Sequence, residues 1–252
     1  MSIMDSIETV QTQEDKKGLT GADLKVLAIL TMTIDHIAAV LIDPKTDLYL
    51  YMRAIGRIAF PIFCFLLTEG VAHTKNRIRY IGNLFLFAII SSPFYMVIPK
   101  EEGEISNNVF FTLFFGAACI CMIEYIKQCI PDRDSVLLMM LRTFIEAAIF
   151  IGCFVSSIFM HTSYEGVGVF VIVLFYYFPR MLKNRLPEKF TRFVCCLAFC
   201  WDSFQQSAIV SFIPITTYNG ERGKQNKWLF YIYYPAHLLV LFLIKKYVLK
   251  LC

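Results

Sequence analysis

Apolar stretches of about 20 residues recur along almost the whole chain, and short polar segments separate them. An α-helix of about 20 residues crosses the roughly 30 Å of hydrocarbon in a bilayer. The pattern therefore predicts an all-α, polytopic transmembrane helix bundle with about eight spans. We place the spans near residues 23–43, 53–73, 79–98, 108–127, 136–158, 164–179, 190–214 and 229–248.

Residues 1–22 are polar and acidic and lack the basic and apolar regions of a signal peptide. We expect a polar cytoplasmic tail over residues 1–22 and a single transmembrane domain over residues 23–252. The loops between spans are too short for a soluble domain, which needs at least about 50 residues. Any chemistry must therefore be performed by the helices and their ends.

Composition supports this class and excludes others. Hydrophobic residues make up 57% of the chain and charged residues 17%, and the mean hydropathy is +0.58. The net charge of +4 is not gathered into one soluble basic patch, so we expect no nucleic-acid partner. The nine cysteines are mostly inside spans, without CxxC or histidine spacing, which favours apolar packing, and no metal is expected.

Basic loops predict the orientation, because lysine and arginine are enriched on the cytoplasmic side. With eight spans, the basic segments 73–80 and 179–192 and the C-terminal end fall on one face, and the acidic loop 99–108 falls on the other. This arrangement predicts that both termini are cytoplasmic. The basic loop 217–227 breaks the rule, either because the overall bias outweighs one loop or because its cations bind an anionic ligand.

Asp35 and His36 lie inside the first span, where ionisable groups are costly and usually functional. The next span carries Arg53 and Arg57 four residues apart on one face, at a depth that matches Asp35. Pro61 cannot donate to the carbonyl of Arg57, so we expect a kink there. The simpler alternative is a packing kink and a neutralising Asp35–Arg57 pair without chemistry.

Three further groups of polar residues accompany this cluster. Glu69 and His73 lie one turn apart, as a rim salt bridge or a supporting pair. Asn108 starts a span, as a cap or a ligand. His237, with Tyr233 and Tyr234 one turn before it, belongs either to an aromatic interface belt or to the same half of the bilayer as Arg57.

Several blocks together resemble the TraX family, named for the conjugation protein that acetylates the N-terminus of pilin subunits. The blocks, in chain order, are "GLTGADLKVLAILTMTIDHIAAVL", "IGRIAFPIFCFLLTEGVAHT", "NVFFTLFFG", and "YNGERGK" with "FYIYYPAHLL". The resemblance spans about residues 18–245 and is loose over 130–215, where only "YEGVG" matches.

The resemblance implies an integral membrane acetyltransferase that draws on cytoplasmic acetyl-CoA. By motif position, the functional residues implied are Asp35, His36, Arg57, Glu69, His73, Asn108, Asn219, Arg222, Lys227 and His237. The acceptor implied is an amine or hydroxyl: a pilin-like N-terminus, a glycan or a small molecule. The membrane implied is the bacterial inner or plasma membrane.

An acetyl thioester is already activated, so the reaction needs a base and an oxyanion donor. We assign His36 as the base and Asp35 as its orienting group or as the partner of Arg57. In a ping-pong alternative, His36 or His237 carries the acetyl group. Arg57, Asn219, Arg222 and Lys227 form the predicted acetyl-CoA site, while Tyr234 or Asn219 would stabilise the oxyanion.

The predicted topology sets the cluster towards the outer face, although acetyl-CoA is cytoplasmic. Either the pantetheine arm reaches inward, or the loop 217–227 folds back, or the topology is inverted. The competing class is a proton-coupled transporter or channel in which Asp35, His36 and Arg57 form a relay. A non-catalytic membrane scaffold is a third class. The sequence leaves open whether the protein forms a homo-oligomer.

Overall fold

A computed structural model describes residues 17–96, 98, 106–131, 135–200 and 203–248. The described residues form helices and two isolated β-bridges, Leu19–Tyr218 and Asn107–Thr162. The all-α prediction is confirmed for this part of the chain. Its α-helices are α1 Gly21–Leu41, α2 Asp47–Gly56, α3 Ala59–His73, α4 Arg77–Tyr95, α5 Val109–Cys129, α6 Val136–Phe159, α7 Glu165–Met181, α8 Glu188–Leu197, α9 Phe212–Thr216 and α10 Lys227–Leu243.

Helix α1 begins at a capping box. The Thr20 hydroxyl accepts a hydrogen bond from the Asp23 backbone N–H, and the Asp23 carboxylate accepts one from the Thr20 N–H. Each side chain satisfies a backbone group that a helix start leaves unpaired. The start of α1 is therefore fixed by local sequence.

The ends of the bundle can be named from their contacts. The proximal end contains residues 17–21, 74–76 and 217–226, which meet around the start of α1. The distal end contains residues 42–46, 106–108 and 160–164, and there the Asn107 N–H donates to the His161 carbonyl at 2.6 Å. Helices α1 and α10 both run from the proximal to the distal end, since Lys25 contacts Phe230 and His36 contacts His237.

Five helical segments of the described chain are long and apolar enough to cross a membrane: α1, α2 with α3, α4, α5 and α6. Helices α7 and α10 pack beside them and have 17 residues each. The prediction of eight spans is not confirmed. Its seventh span, 190–214, is broken into α8, a 3₁₀-helix over Ser203–Ser211, and α9.

This broken segment is a hairpin. The guanidinium of Arg192 donates to the Ile215 carbonyl at 2.9 Å, so the start and the end of the segment lie together. The chain therefore returns to the proximal end at residue 217. The sequence could not show this, because average hydropathy does not distinguish one long crossing helix from two short ones.

The loop 217–227 lies on the opposite end from the one that we predicted. The Leu19 N–H donates to the Thr217 carbonyl at 2.9 Å, and the Gly21 N–H donates to the Glu221 carbonyl at 2.8 Å. The loop is thus beside the start of α1, and its predicted placement on the face away from the N-terminal tail is wrong. Residues 17 and 248 lie at opposite ends of the bundle, whereas the eight-span prediction sets them on the same side of the membrane.

Two regions of the predictions lie outside the described residues: most of the N-terminal tail, 1–16, and most of the acidic loop, 99–105. The cysteines Cys64, Cys119, Cys121, Cys153, Cys195 and Cys196 are buried, consistent with a packing role. The main core cluster joins residues of α1, α3, α4, α5, α7, α8 and α10. The site described next lies within this cluster of helices.

Candidate functional site

Asp35 is held between two arginines. Its Oδ2 atom accepts a hydrogen bond from Nη1 of Arg53 at 2.6 Å, and its Oδ1 atom accepts one from Nη2 of Arg57 at 2.8 Å. The side chains of Asp35 and Arg57 are 12% and 10% exposed. The predicted partnership of Asp35 and Arg57 is confirmed, and Arg53 completes it.

Glycine at position 56 lets α2 approach α1 at this point. A β-carbon built on Gly56 would lie 2.2 Å from the Cβ of Asp35 and 2.3 Å from its Oδ1. Any larger residue would therefore collide with the paired carboxylate. Close backbone approach explains why this turn of α2 carries glycine.

The second predicted span is broken directly beside Arg57. Helix α2 ends at Gly56, and α3 begins at Ala59. Pro61 lies one turn after Arg57 and has no N–H to donate to the Arg57 carbonyl. The expected kink is thus an interruption over residues 57–58, which sets both arginines beside Asp35.

His36 and His237 form a direct pair. The Nδ1 atom of His36 lies 2.7 Å from Nε2 of His237, and the two rings are parallel within 4°. On the other side of His237, its Nδ1 atom lies 2.9 Å from the carbonyl oxygen of Tyr233. The sequence indicated a shared half of the bilayer, and the structure brings the two histidines into contact.

These contacts assign the tautomers of both neutral rings. A carbonyl oxygen only accepts hydrogen bonds, so Nδ1 of His237 carries the proton and Nε2 accepts. Nδ1 of His36 must then donate to His237, and the lone pair of His36 lies on Nε2. Because the Nδ1 side of His36 is engaged, Nε2 is the nitrogen available to a bound molecule.

Asp35 and His36 both line a cavity of about 240 Å³ near the distal end. Hydroxyl groups form much of its remaining polar wall, and they belong to Tyr95, Ser106, Ser163, Tyr164 and Tyr234. We call this cavity the distal cavity. Its combination of a free imidazole nitrogen, guanidinium groups and hydroxyl donors suits proton transfer and stabilisation of a developing oxyanion.

The segment that presents Ser163 and Tyr164 has a strained backbone. His161 and Glu165 have φ values of 46° and 44°, in the left-handed region that non-glycine residues rarely adopt. The hydroxyl of Ser157 donates to the Glu165 carbonyl at 2.8 Å, which holds this backbone in place. Strain of this kind is concentrated at functional sites.

A second cavity, of about 540 Å³, lies at the proximal end. We call it the proximal cavity. It brings Arg222 to Glu69 and His73, although Arg222 is about 150 residues away from them in the sequence. Nδ1 of His73 lies 2.9 Å from the carbonyl oxygen of Glu69 and 3.9 Å from its carboxylate. Phe63 lines both cavities.

Three predicted residues remain: Asn108, Asn219 and Lys227. Asn108 is buried and caps α5: its Oδ1 accepts from the Phe110 N–H, and its Nδ2 donates to the Ala88 carbonyl. Asn219 lines neither cavity, and its Oδ1 accepts from the Glu221 N–H. The side chain of Lys227 lies outside the described residues.

The predicted acetyl-CoA residues are therefore not brought together. Arg57 belongs to the distal cavity, whereas Arg222 belongs to the proximal one. Sequence reasoning missed Lys25 and Arg79 in the proximal cavity and Tyr164 in the distal one. Lys25 had a usable signal, since it is an ionisable residue within an apolar span. Tyr164 had only the loosely matching "YEGVG" segment.

Comparison with known proteins adds two kinds of finding. A family profile described as TraX protein matches residues 20–245. A probable fimbrial assembly protein of Dichelobacter nodosus, FimC of serogroup H1, is 25% identical over 240 residues, which cover 86% of this chain and 92% of that protein. An uncharacterized protein of Rickettsia prowazekii (strain Madrid E) is 31% identical over 109 residues, 43% of this chain and 38% of that protein. No solved structure matches.

Proposed function

Because this chain belongs to the TraX family, we propose that it is an integral membrane acetyltransferase that moves an acetyl group from acetyl-CoA to an amine or hydroxyl acceptor. The observation that carries the proposal is the chain of hydrogen bonds from Tyr233 through His237 to His36. It leaves Nε2 of His36 free to act as a base, and His36 lines a polar cavity. Membership of a family with a fimbrial-assembly relative is consistent with a protein acceptor.

In the proposed reaction, Nε2 of His36 takes the proton from the acceptor as its nitrogen or oxygen attacks the thioester carbonyl carbon. The C–S bond then breaks, and the protonated His36 returns the proton to the leaving thiolate. His237 stabilises the transient imidazolium, because its Nε2 accepts from Nδ1 of His36. Hydroxyl groups such as those of Tyr164 and Tyr234 supply donors to the oxyanion.

Asp35 has a positioning role in this proposal. Its two arginine partners neutralise it, so it does not serve as the base itself. The ion pairs join the end of α2 to α1 beside His36 and fix one wall of the distal cavity. In the ping-pong alternative, His36 is the better carrier, since Nε2 of His237 is engaged with His36.

The proximal end faces the cytoplasm in this proposal, in a bacterial inner or plasma membrane. Support comes from basic residues at that end: Lys75, Arg77, Arg79, Arg222 and Lys224. The loop 217–227 no longer breaks the positive-inside rule, because it lies beside the start of α1. A cytoplasmic acyl donor would then enter at the proximal end and react near the distal end.

Turnover of the purified protein in proteoliposomes tests the proposal. Thiol release from acetyl-CoA is measured with acceptors that carry a free peptide N-terminus or a hexose hydroxyl. We expect His36→Gln to lower the rate at least about 100-fold, the usual contribution of a general base. The control is Lys45→Gln, which alters an exposed residue that lines neither cavity and should keep the wild-type rate.

Full turnover by a folded His36→Gln protein would remove His36 as base and carrier. If the folded wild-type protein neither binds acetyl-CoA nor releases thiol, the acetyltransferase proposal fails. Solute or proton flux through the same liposomes would then be measured next.

A further inference from the structure

The proximal cavity contains more positive than negative charge. Its charged lining residues are Lys25, Arg79, Arg222 and Glu69, so its net charge is +2 with His73 neutral, three cations against one carboxylate. Its volume of about 540 Å³ lies within the range of small-molecule sites. Tyr80, Tyr218 and Tyr231 add aromatic faces to the same wall.

Lys25 is the most informative of these cations, because it lies within α1 and is half-buried. Its Nζ atom donates to Oε1 of Gln225 at 2.6 Å and lies 4.7 Å from the centre of the Phe230 ring. Neither neighbour carries a negative charge, and no carboxylate of the described chain is within ion-pair distance. An ammonium group that is partly removed from water without a counter-ion is costly.

Arg79 and Arg222 are the other two cations that line the cavity. Both are exposed, and neither forms an ion pair with a carboxylate of the described residues. Glu69, the carboxylate of the lining, lies beside His73. Three cations from α1, α4 and the loop 217–227 thus line one space, and a ligand with several negative charges would complement them.

The path from this cavity leads to the histidine pair. Lys25 and His36 lie eleven residues apart on α1, which corresponds to about 16 Å along the helix axis. Phe63 is a lining residue of both cavities. A ligand with a polyanionic head and a long, narrow arm would occupy the proximal cavity and direct the end of its arm past Phe63.

We propose that the proximal cavity binds the phosphorylated nucleotide of the acyl donor, with Lys25, Arg79 and Arg222 as phosphate ligands. The assignment rests on the proposed function and adds a donor site to it. In this site the phosphates are bound by the proximal cavity and not, as the sequence predicted, by Arg57. The pantetheine arm then passes Phe63 and presents the thioester to His36. The loop 217–227 serves to fix Arg222 over the cavity, because its backbone is hydrogen-bonded to the start of α1.

Calorimetric titration of the full-length protein in detergent tests this site. The ligands are CoA, dephospho-CoA and pantetheine, and the variants are Lys25→Gln and Arg79→Gln. Controls are Lys75→Gln and Lys224→Gln, which remove the same charge from exposed lysines of the proximal end that do not line the cavity. Thermal unfolding confirms that each variant is folded.

We expect each lining substitution to weaken CoA binding about tenfold, as for loss of a charge-assisted contact. The controls should stay within about twofold, and the affinity should fall from CoA to dephospho-CoA to pantetheine. If the wild-type protein binds CoA and the lining variants bind it as tightly as the controls do, the donor site lies elsewhere, while the proposed function stands.

Two other outcomes would also overturn the assignment. Absence of CoA binding by the folded wild-type protein would remove the donor site and the proposed function together. The same cations also suit a lipid phosphate. If phosphatidylglycerol vesicles, but not CoA, stabilise the wild-type protein against heat and Lys25→Gln abolishes this effect, the cavity binds a lipid headgroup.

Discussion

At the scale of the residue, the Asp35 cluster holds one carboxylate between two guanidinium groups, so its members are not equivalent. Loss of Arg57 leaves Asp35 paired with Arg53. Loss of the carboxylate leaves two adjacent, largely buried cations. Breaking a buried ion pair in this way costs about 3–5 kcal/mol of folding free energy, because the positive charges lose the carboxylate that offsets them.

We therefore expect Asp35→Asn to lower the melting temperature in detergent more than Arg57→Gln does. The double variant Asp35→Asn with Arg57→Gln should recover part of the loss, since the repulsion between the two guanidinium groups is then removed. Melting curves of the three proteins provide the measurement. Equal melting temperatures for the two single variants would show that the Asp35 carboxylate does not hold the two guanidinium groups together as one unit.

Sequence reasoning was most successful for the polar residues inside spans. Asp35 and Arg57 could be paired because their depths are fixed by helical rise and their charges are opposite. The contact between His36 and His237 needed the relative rotation of α1 and α10, which side-chain packing decides. Lys25 was missed because a single lysine near a helix start resembles a solvated end.

At the scale of the element, the approach of α2 to α1 depends on Gly56. A methyl group there would overlap Asp35 and push the two helices apart. We expect Gly56→Ala to reduce acetyl transfer by at least tenfold and to destabilise the protein by about 1–3 kcal/mol, as overpacking does.

Gly82 offers a matched control for this substitution, because a β-carbon there meets no atom within 4 Å. Gly82 lies inside α4, where alanine is the better helix former by about 1 kcal/mol. Gly82→Ala should therefore keep or raise the melting temperature and leave activity unchanged. Similar melting temperatures and activities for the two variants would exclude a role for the close approach at Gly56.

The elements that sequence reasoning misjudged share a physical cause. The run 190–214 is apolar on average, but it contains Arg192, which bonds back to Ile215 and closes a hairpin. The second predicted span began at residue 53, whereas α2 begins at Asp47. Averaged hydropathy reports how apolar a segment is, whereas its direction depends on tertiary contacts.

At the scale of the whole molecule, the main difference is the arrangement of the two ends. We predict that cysteines introduced at positions 75 and 224 of a cysteine-free protein react with a membrane-impermeant thiol reagent from the same side. A cysteine at position 247, beyond the distal end of α10, should react from the other side. The measurement uses sealed right-side-out cells and inverted vesicles.

Positions 75 and 224 are expected on the same side because residues next to each of them line the proximal cavity. Labelling of positions 75 and 224 from opposite sides would contradict the hydrogen bonds between the loop and the start of α1. The eight-span prediction requires that opposite pairing, so the experiment separates the two arrangements directly.

The place of Phe63 in the lining of both cavities has a consequence for the energy supply of the cell. A bacterial plasma membrane stores a proton gradient, and one elementary charge crossing 100 mV releases about 2.3 kcal/mol. A water-filled passage through the bundle would discharge this gradient with every proton that entered. Phe63 lines both cavities, so in the proposed reaction its ring can close the route between them and let acetyl transfer proceed without short-circuiting the membrane.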